Sequence, residues 1–114
     1  MRKIHNYING KSFSISKKEQ PVEDPSKGEV IASVVLSSVD DFEKVLESSK
    51  KSQTDWANTT PLKRSRVLSN YKTLIEKKID KLAEIVSVEH GKTLDDAKGS
   101  VTRGLEGVEF ACGI

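Results

Sequence analysis

Cysteine is nearly absent from this sequence: Cys112 stands alone among 114 residues, so no internal disulfide can form. The two histidines, His5 and His90, lie too far apart in sequence to supply the paired spacing of a structural zinc site. Long apolar runs are missing too. The longest, around Val34-Val35-Leu36, falls far short of the roughly 20 residues that a membrane-spanning helix requires, and no membrane partner is expected. Neither charge sign dominates, since 19 basic residues face 17 acidic ones. Lysine pairs such as Lys17-Lys18, Lys50-Lys51 and Lys77-Lys78 are scattered among carboxylates, which argues against a nucleic-acid stripe. Met1-Arg2-Lys3 runs into polar His5-Asn6 instead of an apolar secretory core, so the default expectation is a cytoplasmic location.

What is present is a polar globular composition, 35% hydrophobic and 32% charged, with room for one domain. Tyr7-Ile8 and Lys11–Ile15 flank Asn9-Gly10, a pair that accepts the positive φ of a type I′ turn, which predicts a β-hairpin. A second turn at Asp24-Pro25-Ser26-Lys27-Gly28 joins strands expected over Glu19–Glu23 and Glu29–Leu36. His5 is read as part of an unanchored start.

The hydrophobic period then changes. Val39, Phe42, Val45, Leu46 and Ser49 share one helical face, and Ser38-Val39-Asp40-Asp41 forms an approximate capping box, so a helix is expected over about 39–55. Thr60-Pro61 begins another helical stretch that ends at Gly91, either one long helix or two with a break near Lys77-Lys78. Thr93 and the carboxylates Asp95 and Asp96 start a last helix running to the end of the chain. Gly99, Gly104 and Gly107 each weaken that helix by about 0.8–1 kcal/mol, which suggests a second backbone close against it, although no partner for it is evident in this chain. The largely apolar Val108–Ile114 reads as if the chain were cut inside an element, the front of a longer protein.

Gly91-Lys92-Thr93 imitates the end of a phosphate-binding P-loop, but the first glycine of that motif would fall at Val86 and the preceding segment is helical. A helix stop followed by a helix start explains it better. Cys112 has apolar flanks and reads as a core thiol, not a nucleophile. His90 fits a helix C-terminus, and Trp56 is expected to bury its ring against the following helix. Arg103 lies between Thr102 and Gly104, leaving its guanidinium open to a carboxylate: either a surface pair with Glu106 or Glu109, or a ligand.

Taken in order, Tyr7–Lys11, Asp24–Ile31, Trp56 before Lys63-Arg64, and Glu89-His90-Gly91-Lys92-Thr93-Leu94 resemble the opening of the aldehyde dehydrogenase superfamily. Within it, Asp96–Cys112, with its Arg-Gly-Leu-Glu-x-Val-Glu string, is similar to the CoA-acylating methylmalonate-semialdehyde dehydrogenases. The resemblance implies an α+β piece, with β-hairpins over 1–37 and three to four helices over 38–114, opening the α/β NAD-binding domain of a longer homo-oligomeric enzyme. It further implies oxidation of malonate or methylmalonate semialdehyde with NAD and CoA, with loss of carbon dioxide, giving acetyl- or propionyl-CoA. The nucleophilic cysteine and the NAD-binding strands would lie beyond Ile114, so this portion is expected to bind no cofactor and to hold no catalytic residue. Arg103 matches the arginine associated with holding the substrate carboxylate. Asp24, where Asn is common, and Ser26-Lys27, in place of Ala-Thr, depart from the pattern at turn positions only. Two alternatives stay open: the hydrolytic branch of the same superfamily, and a small stand-alone protein-binding module.

Overall fold

The computed structural model describes all 114 residues, which form two units, Met1–Ala57 and Asn58–Ile114. The first opens with β1 (Arg2–Ile4), β2 (Asn6–Ile8) and β3 (Lys11–Phe13), continues with β4 (Glu19–Asp24) and β5 (Glu29–Val35), and is followed by α1 (Val39–Asn58). The Asn9-Gly10 hairpin forms as expected, with φ of 51° and 74° at the two turn residues and Tyr7 opposite Ser12. The Asp24–Gly28 turn also forms: Gly28 N–H donates to the Asp24 carbonyl at 2.8 Å, and Ser26 N–H donates to the Asp24 carboxylate at 2.9 Å.

The start of the chain is not unanchored, as the sequence suggested. β1 lies parallel to β5, with Lys3 opposite Ser33, making a three-stranded sheet in the order β1-β5-β4. Lys3 pairs with Glu19, and Glu19 accepts a 2.7 Å hydrogen bond from the Ser33 hydroxyl, so one side-chain chain crosses all three strands. Pro21 is tolerated because β4 is an edge strand that needs no donor on its open side. Ala32 and Val35 of the central strand form the small apolar core of this unit.

Helix α1 follows the capping box, yet its apolar face is not covered in this chain: Val39, Phe42, Val45 and Leu46 are all exposed. Trp56 is likewise 43% exposed, against the expectation of a buried ring. An indole can lie open here because α1 presents its side chains outward along almost its whole length, and Asp41 is its one buried residue.

The second unit consists of α2 (Pro61–Lys77), α3 (Ile79–His90) and α4 (Leu94–Ala111). Thr60 caps α2 by accepting from Lys63 N–H, with Pro61 in the first turn where its missing donor costs nothing. The stretch from Pro61 to His90 is two helices. Lys78 takes φ −115° and ψ 12°, and its N–H turns to the Ile75 carbonyl at 3.0 Å, closing the ladder without glycine or proline. Gly91 ends α3 in the left-handed region, φ 70° and ψ 19°, where a side chain would be strained. Both α2 and α3 pack on α4, and the tightest burial falls on small side chains, Ala83 at 2% and Ala97 at 0% exposure. Small residues let helix axes approach closely.

Candidate functional site

The segment from Ser87 to Arg103 carries the chemistry-bearing groups of the second unit. Gly91-Lys92-Thr93 links helix to helix, so no strand-to-helix nest for a phosphate forms there. Ser87 donates its hydroxyl to the Lys92 carbonyl at 2.6 Å, which pins the turn after the left-handed glycine. Thr93 then caps α4 by accepting from Asp96 N–H at 3.3 Å. Through this cap the Lys92 side chain reaches along the new helix, and its Nζ donates to Ser100 Oγ at 3.0 Å.

Arg103 lies three residues on, on the same helix, and is exposed. Its Nη2 donates to the same Ser100 Oγ at 3.4 Å, and its Nη1 is 4.0 Å from where a Cβ would stand on Gly99. The carboxylates that the sequence offered it go elsewhere or stay apart. Glu109 takes Lys72 at 3.0 Å, which holds the Lys72 ammonium above its ordinary pKa, and no ion pair joins Glu106 to Arg103. Lys98, one turn away, pairs with Asp80 and is likewise raised. Two cations therefore converge on one hydroxyl with no carboxylate between them, an arrangement suited to an anionic ligand.

Gly104 and Gly107 have open space around them, so no backbone of this chain crowds the last helix at these two glycines. Cys112 is half-buried instead of core: its Sγ donates to the Val108 carbonyl at 3.3 Å, and its own carbonyl accepts from Ser65 at 2.6 Å. A thiol engaged with its own helix in this way fits a structural role. His90 occupies the last turn of α3, as expected.

Sequence reasoning missed the full role of Asp41. Its carboxylate accepts from Ser38 N–H at 2.8 Å and Ser38 Oγ at 2.9 Å, closing the predicted box, but also from Ile15 N–H at 2.6 Å and Ser16 N–H at 3.1 Å. These donors, led by the Ser38 and Ile15 backbone, depress its pKa to about 2 against the penalty of burial. Such a carboxylate is a structural anchor, held charged and fully occupied. Farther along α1, that helix and the β2–β3 hairpin line a groove of about 490 Å³ with Phe13, Lys11, Lys44 and Lys51.

Residues 13–114 match the aldehyde dehydrogenase family, and the chain belongs to that family. The malonate-semialdehyde dehydrogenase of Pseudomonas aeruginosa is 38% identical over 112 residues, covering 98% of this chain and 22% of the relative. An acylating methylmalonate-semialdehyde/malonate-semialdehyde dehydrogenase from Dictyostelium discoideum is 40% identical over 109 residues, covering 95% of this chain and 21% of its own length. Among solved structures, a methylmalonate-semialdehyde dehydrogenase from Sinorhizobium meliloti, complexed with NAD, superimposes with a TM-score of 0.96 at 40% identity, over 99% of this chain and 23% of that one. The α+β arrangement seen here is thus that of the N-terminal part of aldehyde dehydrogenases. The chain spans less than a quarter of the length of these relatives.

Proposed function

We propose that this chain acts as the opening segment of an NAD-dependent, CoA-acylating oxidoreductase for malonate or methylmalonate semialdehyde, and that Arg103 receives the substrate carboxylate there. The observation that carries the reading is the exposed Arg103 guanidinium, beside a second cation and left free by both neighbouring glutamates, on a helix whose sequence resembles the acylating branch. In such an enzyme NAD accepts the hydride and CoA accepts the acyl group. The sheet β1-β5-β4 has no crossover helix and the glycine-lysine turn joins two helices, so this proposal assigns the seat of neither group to these residues. Small-molecule semialdehyde is the partner; assembly into a homo-oligomer and a cytoplasmic location belong to the same proposal.

Arg103 does its work by orientation. A guanidinium fork offers two parallel donors to a carboxylate, fixing the far end of a three-carbon substrate so that its aldehyde lies at a set distance. The test joins this chain to the residues that follow the matched segment in the Pseudomonas aeruginosa relative and follows NADH formation. Arg103→Ala should lower kcat/KM for malonate semialdehyde by roughly 10- to 150-fold and affect propanal far less, because propanal has no carboxylate. Arg103→Lys should recover little. Equal losses on both aldehydes would reduce Arg103 to a structural residue. The 114-residue chain alone, mixed with NAD, CoA and the semialdehyde, should give no turnover above the blank.

A further inference from the structure

Ser100 has a saturated hydroxyl. It can donate once and accept twice. Its proton goes to the Asp96 carbonyl, one turn back, at 3.2 Å, while its oxygen accepts from Lys92 Nζ at 3.0 Å and Arg103 Nη2 at 3.4 Å. The bond to Asp96 fixes the rotamer of Ser100 on the helix, so the oxygen is a stationary point. Lys92 is held at its own end, because Ser87 grips its carbonyl at 2.6 Å and Gly91 sets the direction of the turn before it. Arg103, by contrast, is a long exposed side chain whose one anchor within this group is that serine oxygen. The guanidinium lies back over Gly99, where a larger residue would touch it.

We propose that Ser100 is a positioning residue for Arg103: it fixes the guanidinium beside the Lys92 ammonium, so that two cations face one incoming carboxylate. This rests on the reading of Arg103 as the carboxylate holder. Without the tether the two like charges separate, and the arginine must be ordered anew each time substrate binds, a cost that falls on binding and not on chemistry. Its signature is a raised KM with an unchanged kcat.

Two measurements test it. In the 114-residue chain, 15N relaxation at Arg103 Nε should report a restrained side chain that becomes mobile in Ser100→Ala and is restrained again in Ser100→Thr, whose hydroxyl can make the same bonds. In the joined enzyme described above, Ser100→Ala should raise KM for malonate semialdehyde about 3- to 10-fold, with kcat and the propanal reaction unchanged and Ser100→Thr close to the parent. An Arg103 side chain as mobile in the parent as in Ser100→Ala overturns the proposal, and so does an equal loss on both aldehydes. If Arg103→Ala itself proves unselective, the carboxylate reading falls, and the tether is then judged by the relaxation data alone. If the joined enzyme is inactive, the same relaxation data decide.

Discussion

In the first unit one buried carboxylate gathers backbone donors from residues 15, 16 and 38, whereas in the second the deciding features are hydroxyls at two helix starts and a left-handed glycine. The charges differ in the same way. Asp41, Glu19 and Asp24 of the first unit all have lowered pKa values, while the second unit has lysines raised by Glu109 and Asp80. The contrast follows from the backbone. A sheet joined by irregular segments leaves N–H groups that helices would have paired internally, and a carboxylate is the acceptor that can take several at once. Helices leave orphans only at their ends, and short caps suffice there.

The contrast can be broken most severely at Asp41. Asp41→Ala strips acceptors from Ile15, Ser16 and Ser38 together, and should abolish amide protection at those residues while leaving Ala83 and Ala97 protected; hydrogen exchange reads both units in one sample. Loss of protection in both would mean that the units are not separable.

Acid is the next lever. The folded-state pKa of Asp41, about 2, lies below its ordinary value of 3.8, so its contribution is complete above about pH 4 and is lost as pH falls toward 2. Glu19 and Asp24 act in the same direction. Lys72 and Lys98 act oppositely: raised in the folded state, they contribute below their ordinary 10.5 and cease to as pH rises through their folded values. An acid titration followed by NMR should therefore loosen residues 15–16 and 38 before any helix of the second unit, and an alkaline one should not.

Gly91→Ala sharpens the comparison from the other side, since an alanine forced into the left-handed region costs about 1–2 kcal/mol. Thermal melting should record that loss, with exchange at Ile15 and Ser16 unchanged. Thr93→Ala, which removes the cap on Asp96 N–H, should cost about 1 kcal/mol, again confined to the second unit. Smallest of all is Lys98→Ala: its ion pair with Asp80 is solvent-exposed on both sides and should leave the melting temperature unmoved at physiological salt.

Much of this was legible because the signals were local. Asn9-Gly10, Thr60-Pro61, Thr93 and Gly91 each declare a backbone conformation within a few residues, and each is found as read. β1 was not legible: its partner is about thirty residues away, and Arg2-Lys3-Ile4 has no strand pattern of its own. The break at Lys78 was one of two readings left open, because it carries no glycine or proline to decide between one helix and two. Asp41 was read as a cap because Ser38 is three residues away, while Ile15 and Ser16 are hidden by a separation of 25 and 26 residues. For the candidate site, Arg103 was singled out from its string and its small neighbours. The link to Ser100, at helical spacing, could have been noticed; Lys92, reaching across a cap, could not.

The separation between Asp41 and its loop partners also orders events in time. The hairpin at Asn9-Gly10 and the first turns of α1 can form on their own within microseconds, each from neighbouring residues. Asp41 can gather Ile15 and Ser16 only after both exist and the intervening stretch, which includes β4 and β5, has closed on itself. On a ribosome the carboxylate emerges after everything it must hold. Ile15 and Ser16 therefore wait for the forty-first residue, and gain their shared acceptor only when the start of α1 has left the exit tunnel.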